Sequence, residues 1–531
     1  EFLFGCLEKY GMKGWFVDAI RALYADARAS ILVNGHISKS FPLSKGCRQG
    51  CPLSPSLFIL CIELLLCQLR DAGIGVQDPQ RQVRVPALAF ADDIVLLESR
   101  VAQFHQAMDL VSAFGIVSGL ILNVAKTVIL IMHLADADTE SAIRQQLERK
   151  GCHMWSEGEA PVKITGQLYG PLVNVADRLA APLQKMRKAS NWLGTLRLSP
   201  SVRMRMFNVY AFSCVLFCAR CVPYSVATKN AVEAAQTGLL SHFVGHRLTR
   251  LLPIKKAVCS NEQGGFGALV AKARLQSLQA TWVRVWRQTV VEGVWDQAQP
   301  WVIWFQSSFD AWREYVCERK RLSFDSRQWS HQVIRLWLQY GPKDDILSSL
   351  SHEHKHAKIR VLSMHKGTEV PLSEFTPRKL YELLKQASGS ADPLSASELP
   401  LEAHLSSNWI LQHPSLPQCV RDHLICCRRQ VLCLNARMSY ARKGHSDRCP
   451  YCAEHAREDW HHYLYECAEL RSLRERVRAQ LPHGAELTLW RWHGVVQRED
   501  LLSDSEKDIQ LAVALLNFTR WTQRREYDQD R

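Results

Sequence analysis

Two sets of residues in this chain have the types and the spacing to do chemistry. The first is Asp92-Asp93 in VPALAFADDIVLLES, adjacent carboxylates set between apolar runs. Like charges this close raise one another's cost of ionising, and burial adds to that cost. The pair is either a solvent-facing turn or a place where something positive sits. A divalent cation is the usual candidate, because hard cations take carboxylate oxygens. The second set lies in RCPYCAEHAREDWHHYLYECAEL. Cys449 and Cys452 form a C-x2-C pair, and Cys467 can close a site with one of His455, His461 and His462. Four such soft or borderline ligands within nineteen residues suit tetrahedral Zn2+. An accidental cluster in a cysteine-rich chain is the plain alternative.

The surrounding pattern says what would position these groups. VRVPALAF and IVLLES read as short strands, with Ala91-Asp92-Asp93 at the tip of a tight hairpin. Both flanks are apolar without alternation, as in strands covered on both faces. Upstream, ASILVNGHISKSFPLSKG has two β-rich runs around Asn34-Gly35, a strong hairpin signal. In GCRQGCPLSPSLFILCIELLLCQL, Gly46, Gly50, Pro52 and Pro55 make a stiff loop. Ser54 is placed as an N-cap with proline at the first helical position. The helix that follows is apolar nearly all round and so should be buried. Arg48 and Gln49 are thereby pinned at its start, as a structural cap or as a polar clamp for a phosphate or base. VAQFHQAMDLVSAFGIVSG has helical spacing at Phe104, Ala107, Met108, Val111 and Phe114 and stops at Ser118-Gly119. LILNVAKTVILIM is a strand and turn bearing Asn123 and Lys126.

The chain has 531 residues, 47% of them hydrophobic, enough for two to four packed domains. Lys and Arg total 66 against 52 Asp and Glu, and the formal charge of +14 suits a polyanion such as nucleic acid. Eight basic side chains and no acid lie between Arg178 and Arg220: Arg178, Lys185, Arg187, Lys188, Arg197, Arg203, Arg205 and Arg220. A second basic run, RDHLICCRRQVLCLNARMSYARKGHSDR, precedes the cysteine pair. Either can bind phosphates or simply face solvent. Trp282, Trp286, Trp295, Trp301, Trp304, Trp312, Trp329 and Trp337 recur in helical surroundings, where core packing is the main expectation and base stacking the secondary one. Residues 385–402 read as a linker. Eighteen cysteines in so long a chain do not have the density of a disulfide scaffold. A reducing compartment, nuclear and/or cytoplasmic, is expected. The apolar stretches LFILCIELLLCQL and FNVYAFSCVLFCA are too short or interrupted to span a bilayer, so no membrane segment is expected.

RQGCPLSP, FADD and GLILNVAKT resemble, in order and spacing, successive motifs of the reverse transcriptase palm of non-LTR (LINE-type) retrotransposons. KITGQLYGPL is similar to the strand-turn after that palm, with Gly166 and Gly170 as turn residues. WLGTLRLSPSVRMRMFNVYAFSCVLFCARCVPYS is similar to the helical thumb, and NEQGGFGALVAKARLQSLQATWVRVW to the segment after it. The resemblance implies an α+β fold: a partial palm over residues 1–175 and a thumb over 176–250. A Trp-rich helical connection would follow over 251–440, a CCHC zinc knuckle over 441–475 and C-terminal helices over 476–531.

It implies an RNA-directed DNA polymerase, with an RNA template, a DNA primer and deoxynucleotides as partners. In that reaction a primer 3′-hydroxyl attacks the α-phosphate of a deoxynucleotide, aided by two Mg2+ or Mn2+ ions about 4 Å apart. Asp92 would be a metal ligand and Asp93 a ligand or electrostatic support. Arg48, Gln49 and Gly50 would shape the nucleotide and template side, and Lys126 would lie near the incoming phosphates unless it is a plain surface lysine. The H-x4-C spacing of the family's knuckle selects His462 beside Cys449, Cys452 and Cys467 for Zn2+.

The opening EFLFGCLEKYGMKGWF reads as the middle of an amphipathic helix, so the N-terminus is expected to be cut. The family's further aspartate sits on a strand just before such helical material, and none of Glu1, Glu8, Asp18 and Asp26 matches it. The fingers and endonuclease regions are expected to be missing too. On that reading the chain is a poor or inactive catalyst, and a non-catalytic nucleic-acid-binding protein or a functionless pseudogene product is the alternative. Oligomeric state is not legible.

Overall fold

A computed structural model describes, apart from short gaps, residues 1–43, 51–77, 84–131, 151–244, 254–292, 329–343, 366–387, 409–428, 446–479 and 504–529, with isolated residues between them. They divide into two compact units, Glu1–Arg178 with Thr289–Ser307, and Leu179–Gln288 with Ser308–Arg531. The first mixes helices and strands; the last described strand ends at Tyr169, and the second unit is helical.

In the first unit the helices Ser54–Asp71 and Val101–Ser118 bury Ile62, Leu65, Leu69, Ala107 and Phe114 against one another. The second helix ends where expected: Gly119 takes φ +74° and its N–H donates to the Gly115 carbonyl, a left-handed stop that glycine adopts without a Cβ penalty. Ser54 does not cap the first helix. It lies inside it, after Leu53, and its hydroxyl bonds the Tyr24 hydroxyl at 2.8 Å. That helix also buries one face rather than its whole circumference, since Ile59 is 58% exposed. The opening residues form two helices, Phe2–Lys9 and Gly14–Tyr24, broken around Gly11 at φ +74°.

Every sheet among the described residues is a two-stranded pair, and Val128–Ile129 with His153–Met154 is parallel. Asn34 and Gly35 have φ +48° and +82° and join Leu32–Val33 to His36–Ile37, the left-handed pair that a two-residue hairpin turn requires. Thr165 and Gly166, at +45° and +89°, join Val162–Ile164 to Gln167–Tyr169 in the same way. Gly170 starts the next turn, its carbonyl accepting from Val173.

In the second unit the helix Val175–Thr195 (its first residues belong to the first unit) opens on a reciprocal cap. Asn174 Oδ1 accepts from the N–H of Ala176 and Asp177, while Asp177 accepts from Asn174. Buried Asp422, on the helix Gln418–Arg428, accepts from the Ser201 N–H at 2.8 Å and the Ser201 hydroxyl at 2.6 Å. It thus caps the start of Pro200–Met206 from 221 residues away. Burial raises its pKa above the usual carboxylate range. Trp286, Trp312 and Trp337 are fully buried, which is core packing. Trp282 donates to the Arg220 carbonyl. Trp295, Trp301, Trp304 and the Trp329 side chain lie outside the described residues. Residues 385–387 of the expected linker end the helix Pro377–Ala387, and the rest of it lies outside the described residues. Among the described residues no single helix is long and apolar enough to cross a membrane.

Candidate functional site

The acidic pair sits on an antiparallel hairpin, Ala87–Phe90 with Asp93–Leu96, in the register Phe90 to Asp93. Ala91 and Asp92 are therefore the two-residue turn, and Asp93 is the first paired residue of the second strand. Ala91 is held at φ +54°, a left-handed conformation costing a residue with a Cβ about 1 kcal/mol. Strand alternation puts Ala87, Ile94 and Leu96 on the face packed against the two long helices. Leu88 and Phe90 are 56% and 72% exposed. The expectation of strands covered on both faces is corrected here: a two-stranded sheet lying on helices has only one covered face. Asp92 and Asp93 are both exposed, so the turn offers their carboxylate oxygens to solvent, as a hard-cation site must. Among the described residues no third carboxylate gathers with them.

Glu98 follows the second strand. Neither of its carboxylate oxygens has a hydrogen-bond partner among the described residues, and burial pushes its pKa up to about 7. Lys126 is exposed at the end of a short turn, Val124–Lys126, where its own N–H donates to Asn123 Oδ1 at 3.2 Å. Arg48, Gln49 and Gly50 lie outside the described residues.

The basic run from Arg178 to Arg220 does not form one face. Lys185, Arg187, Lys188, Arg197 and Arg205 are exposed, Arg178 and Arg220 are half-buried, and Arg203 is buried. Arg203 spends its guanidinium on the carbonyls of Leu196 and Leu239, so it holds helices together and reaches no phosphate. On the helix Val175–Thr195, Lys185, Lys188 and Trp192 fall within about 60° of one another at 100° per residue. This arc is opposite the buried Leu179, Met186, Ser190 and Leu193. Trp192 is 57% exposed, an aromatic plane on the same face as two cations. Reading the run by charge alone passed over it; the signal was its position seven residues after Lys185 and four after Lys188.

Cys449, Cys452, His462 and Cys467 do come together. Their ligand atoms all lie within 4.8 Å of one another and all four residues are buried. Cys452 Sγ is 3.5 Å from His462 Nε2 and Cys449 Sγ is 4.0 Å from Cys467 Sγ. Bonds of about 2.3 Å in a tetrahedron place sulfurs roughly 3.8 Å apart, so the four donors fit such an ion. The local chain builds this shape. Cys449 N–H donates to the Ala456 carbonyl, and His455, at φ +44°, closes the loop back to Cys452. His462 starts a wide turn, His462–Glu466, whose first N–H is held by Asp459 and whose end returns Cys467 N–H to the His462 carbonyl. His455 is exposed, and His461, also exposed, pairs with Glu466 at 3.0 Å. The Cys449–Cys467 hydrogen bond lowers the Cys467 thiol to about 7, and the same bond together with burial pushes Cys449 up to about 12.

Among known proteins, the model of the family described as "Reverse transcriptase (RNA-dependent DNA polymerase)" matches residues 1–168. A Xenopus laevis protein named as the uncharacterized 149 kDa protein of transposon TX1 is 30% identical over 127 residues, 24% of this chain and 10% of that protein. A Pol polyprotein from a type-1 retrotransposable element R2 of Popillia japonica is 31% identical over 123 residues, 23% of this chain and 17% of its own length. The corresponding polyprotein from element R2DM of Drosophila melanogaster is 33% identical over 124 residues, 23% of this chain and 11% of its length. The chain thus matches between a tenth and a fifth of the length of these relatives. The motifs RQGCPLSP, FADD and GLILNVAKT, the turn that presents Asp92 and the family match fall within the same 168 residues, and this part of the chain belongs to the reverse transcriptases of non-LTR retrotransposons.

Proposed function

We propose that this chain carries the polymerase palm and thumb of a non-LTR retrotransposon RNA-directed DNA polymerase, followed by a zinc-binding, nucleic-acid-contacting tail. The observation that carries the reading is the hairpin with Asp92 and Asp93 at its open end, inside the residues matched by the family. A Mg2+ or Mn2+ ion held there would offset charge on the attacking and leaving oxygens of nucleotidyl transfer. The chain's own contribution is positional. The turn fixes Asp92 at the tip, the strand start fixes Asp93 beside it, and the packed face anchors both to two helices. Arg48, Gln49 and Gly50 bind the nucleotide and template side, and Lys126 meets the incoming phosphates.

After the palm in sequence, the helical stretch acts as the thumb on a template–primer duplex. The exposed Lys185 and Lys188 contact phosphates and Trp192 packs on the nucleic acid between them. The four ligands Cys449, Cys452, His462 and Cys467 hold Zn2+ in a closed, structural site. Eighteen cysteines in a chain of this length fall short of the density of a disulfide scaffold, which fits a reducing nucleus or cytoplasm. Primer extension on an RNA template with Mg2+ or Mn2+ tests the catalytic part. Deoxynucleotide incorporation that Asp92→Ala abolishes supports it, and no incorporation in either metal refutes it for this chain. Zinc content tests the tail: about one ion per chain is expected, falling in Cys449→Ser, and unchanged stoichiometry refutes the ligand set.

A further inference from the structure

The Cys/His cluster has a neighbour that its ligands do not explain. Arg520, on the C-terminal helix Asp504–Gln529, is only 5% exposed. Its guanidinium lies 4.8 Å from the Tyr451 ring centroid and 5.2 Å from that of Tyr463. One nitrogen, Nη2, donates to Cys467 Sγ at 3.2 Å; Nη1 donates to the Tyr463 carbonyl at 3.4 Å. Among the described residues no carboxylate forms an ion pair with it, and its Nε has no partner. A buried cation without an anion is costly. Of its two hydrogen-bond acceptors, the one that can carry negative charge is the sulfur of Cys467.

Three thiolates and one neutral imidazole around a divalent ion sum to one negative charge, and Arg520 cancels it. Two further hydrogen bonds fix the same turn of the helix. Tyr451, between the first two cysteines, donates its hydroxyl to the Arg520 carbonyl at 2.6 Å. Tyr463, next to His462, donates to the Asn517 carbonyl at 3.0 Å. Ile509 and Val513 of the helix join Cys449, Cys452 and Cys467 in one apolar cluster.

We infer that Arg520 is a positioning residue of the metal centre: it donates to the metal-bound Cys467 thiolate and supplies the counter-charge, so that metal binding and docking of the C-terminal helix are one coupled event. This rests on the reading of the four ligands as a zinc site. The cysteine-rich segment is then half of a module whose other half lies some fifty residues further on.

The test uses the full chain, with zinc affinity measured by chelator competition and the cobalt-substituted protein followed through its thiolate-to-metal charge-transfer band. Arg520→Met is expected to weaken zinc binding about 10–100-fold and shift the cobalt band. Arg520→Lys, which keeps the charge and loses the fork, is expected to restore most of the affinity while the band stays shifted. Failure of the wild-type chain to bind zinc removes the site itself. Wild-type binding with unchanged affinity in Arg520→Met overturns only the role of Arg520. If Arg520→Met does not fold, Arg520→Lys still decides, since a cobalt band identical to wild type overturns the inference.

Discussion

The two regions proposed to hold metal ions are opposites in exposure. Asp92 and Asp93 stand at an open hairpin end, beside Phe90 at 72% exposure, with hard oxygens facing solvent. Cys449, Cys452, His462 and Cys467 are buried, packed against the C-terminal helix and surrounded by hydrogen bonds. On the proposed function, the difference follows from what each would meet. A site that takes a polyanionic duplex and a nucleotide has to be open, and its ion completes its shell with substrate and water oxygens. A site that only holds chain segments together is best closed, with four soft ligands and no open position.

The contrast is broken most severely at the closed site. Cys449→Ser should release the metal and lower the unfolding temperature of the second unit well beyond the few degrees of a surface change, because structural zinc binding is folding free energy. Calorimetry with metal analysis reads both, and an unaltered melt with full zinc content contradicts the closed-site account. Next comes Asp422→Ala in the same unit, which leaves the buried Ser201 N–H and hydroxyl and Gln418 without their acceptor. A loss of about 3 kcal/mol is expected from urea unfolding.

The exposed face of Lys185, Lys188 and Trp192 should respond in binding rather than stability. Trp192→Ala should weaken binding of an RNA–DNA duplex about 5–100-fold, the range of one lost stacking contact. The double change Lys185→Gln with Lys188→Gln should lower the slope of log affinity against log salt by about 1.5. Unchanged affinity and slope would remove this helix face from the interface while leaving the fold intact.

The smallest effect is electrostatic. Glu98 has a folded-state value of about 7 against an ordinary 4.5, so the folded chain keeps a proton that the unfolded chain releases in between. Its contribution therefore favours folding at low pH and is lost as pH rises from roughly 4.5 to 7. Glu98→Gln should flatten that part of the stability–pH curve, and an unchanged curve would remove Glu98 from it.

Local chemistry made much of this legible in the sequence. Asn34-Gly35 specified its turn and Gly119 its helix stop, and the hairpin tip fell at Ala91-Asp92 with Asp93 already paired, because each rests on backbone preferences a few residues long. The Ser54 capping role failed for a tertiary reason: Tyr24 takes the hydroxyl. The covered hairpin failed because periodicity reports apolar residues, not which neighbour covers them. Arg203 and Trp192 show the limit of reading charge as a run, since one is sequestered by two carbonyls and the other is exposed on the face that carries two lysines. Arg520 carried no signal, because its meaning depends on a sulfur 53 positions away.

The most direct measurement is deoxynucleotide incorporation into a primer annealed to RNA, with Mg2+ or Mn2+, by the wild-type chain and Asp92→Ala. The open hairpin account expects metal-dependent incorporation, weak because among the described residues only two carboxylates gather at the turn, that the substitution abolishes while duplex binding persists. Incorporation that survives Asp92→Ala, or none with either metal in the wild-type chain, would contradict it.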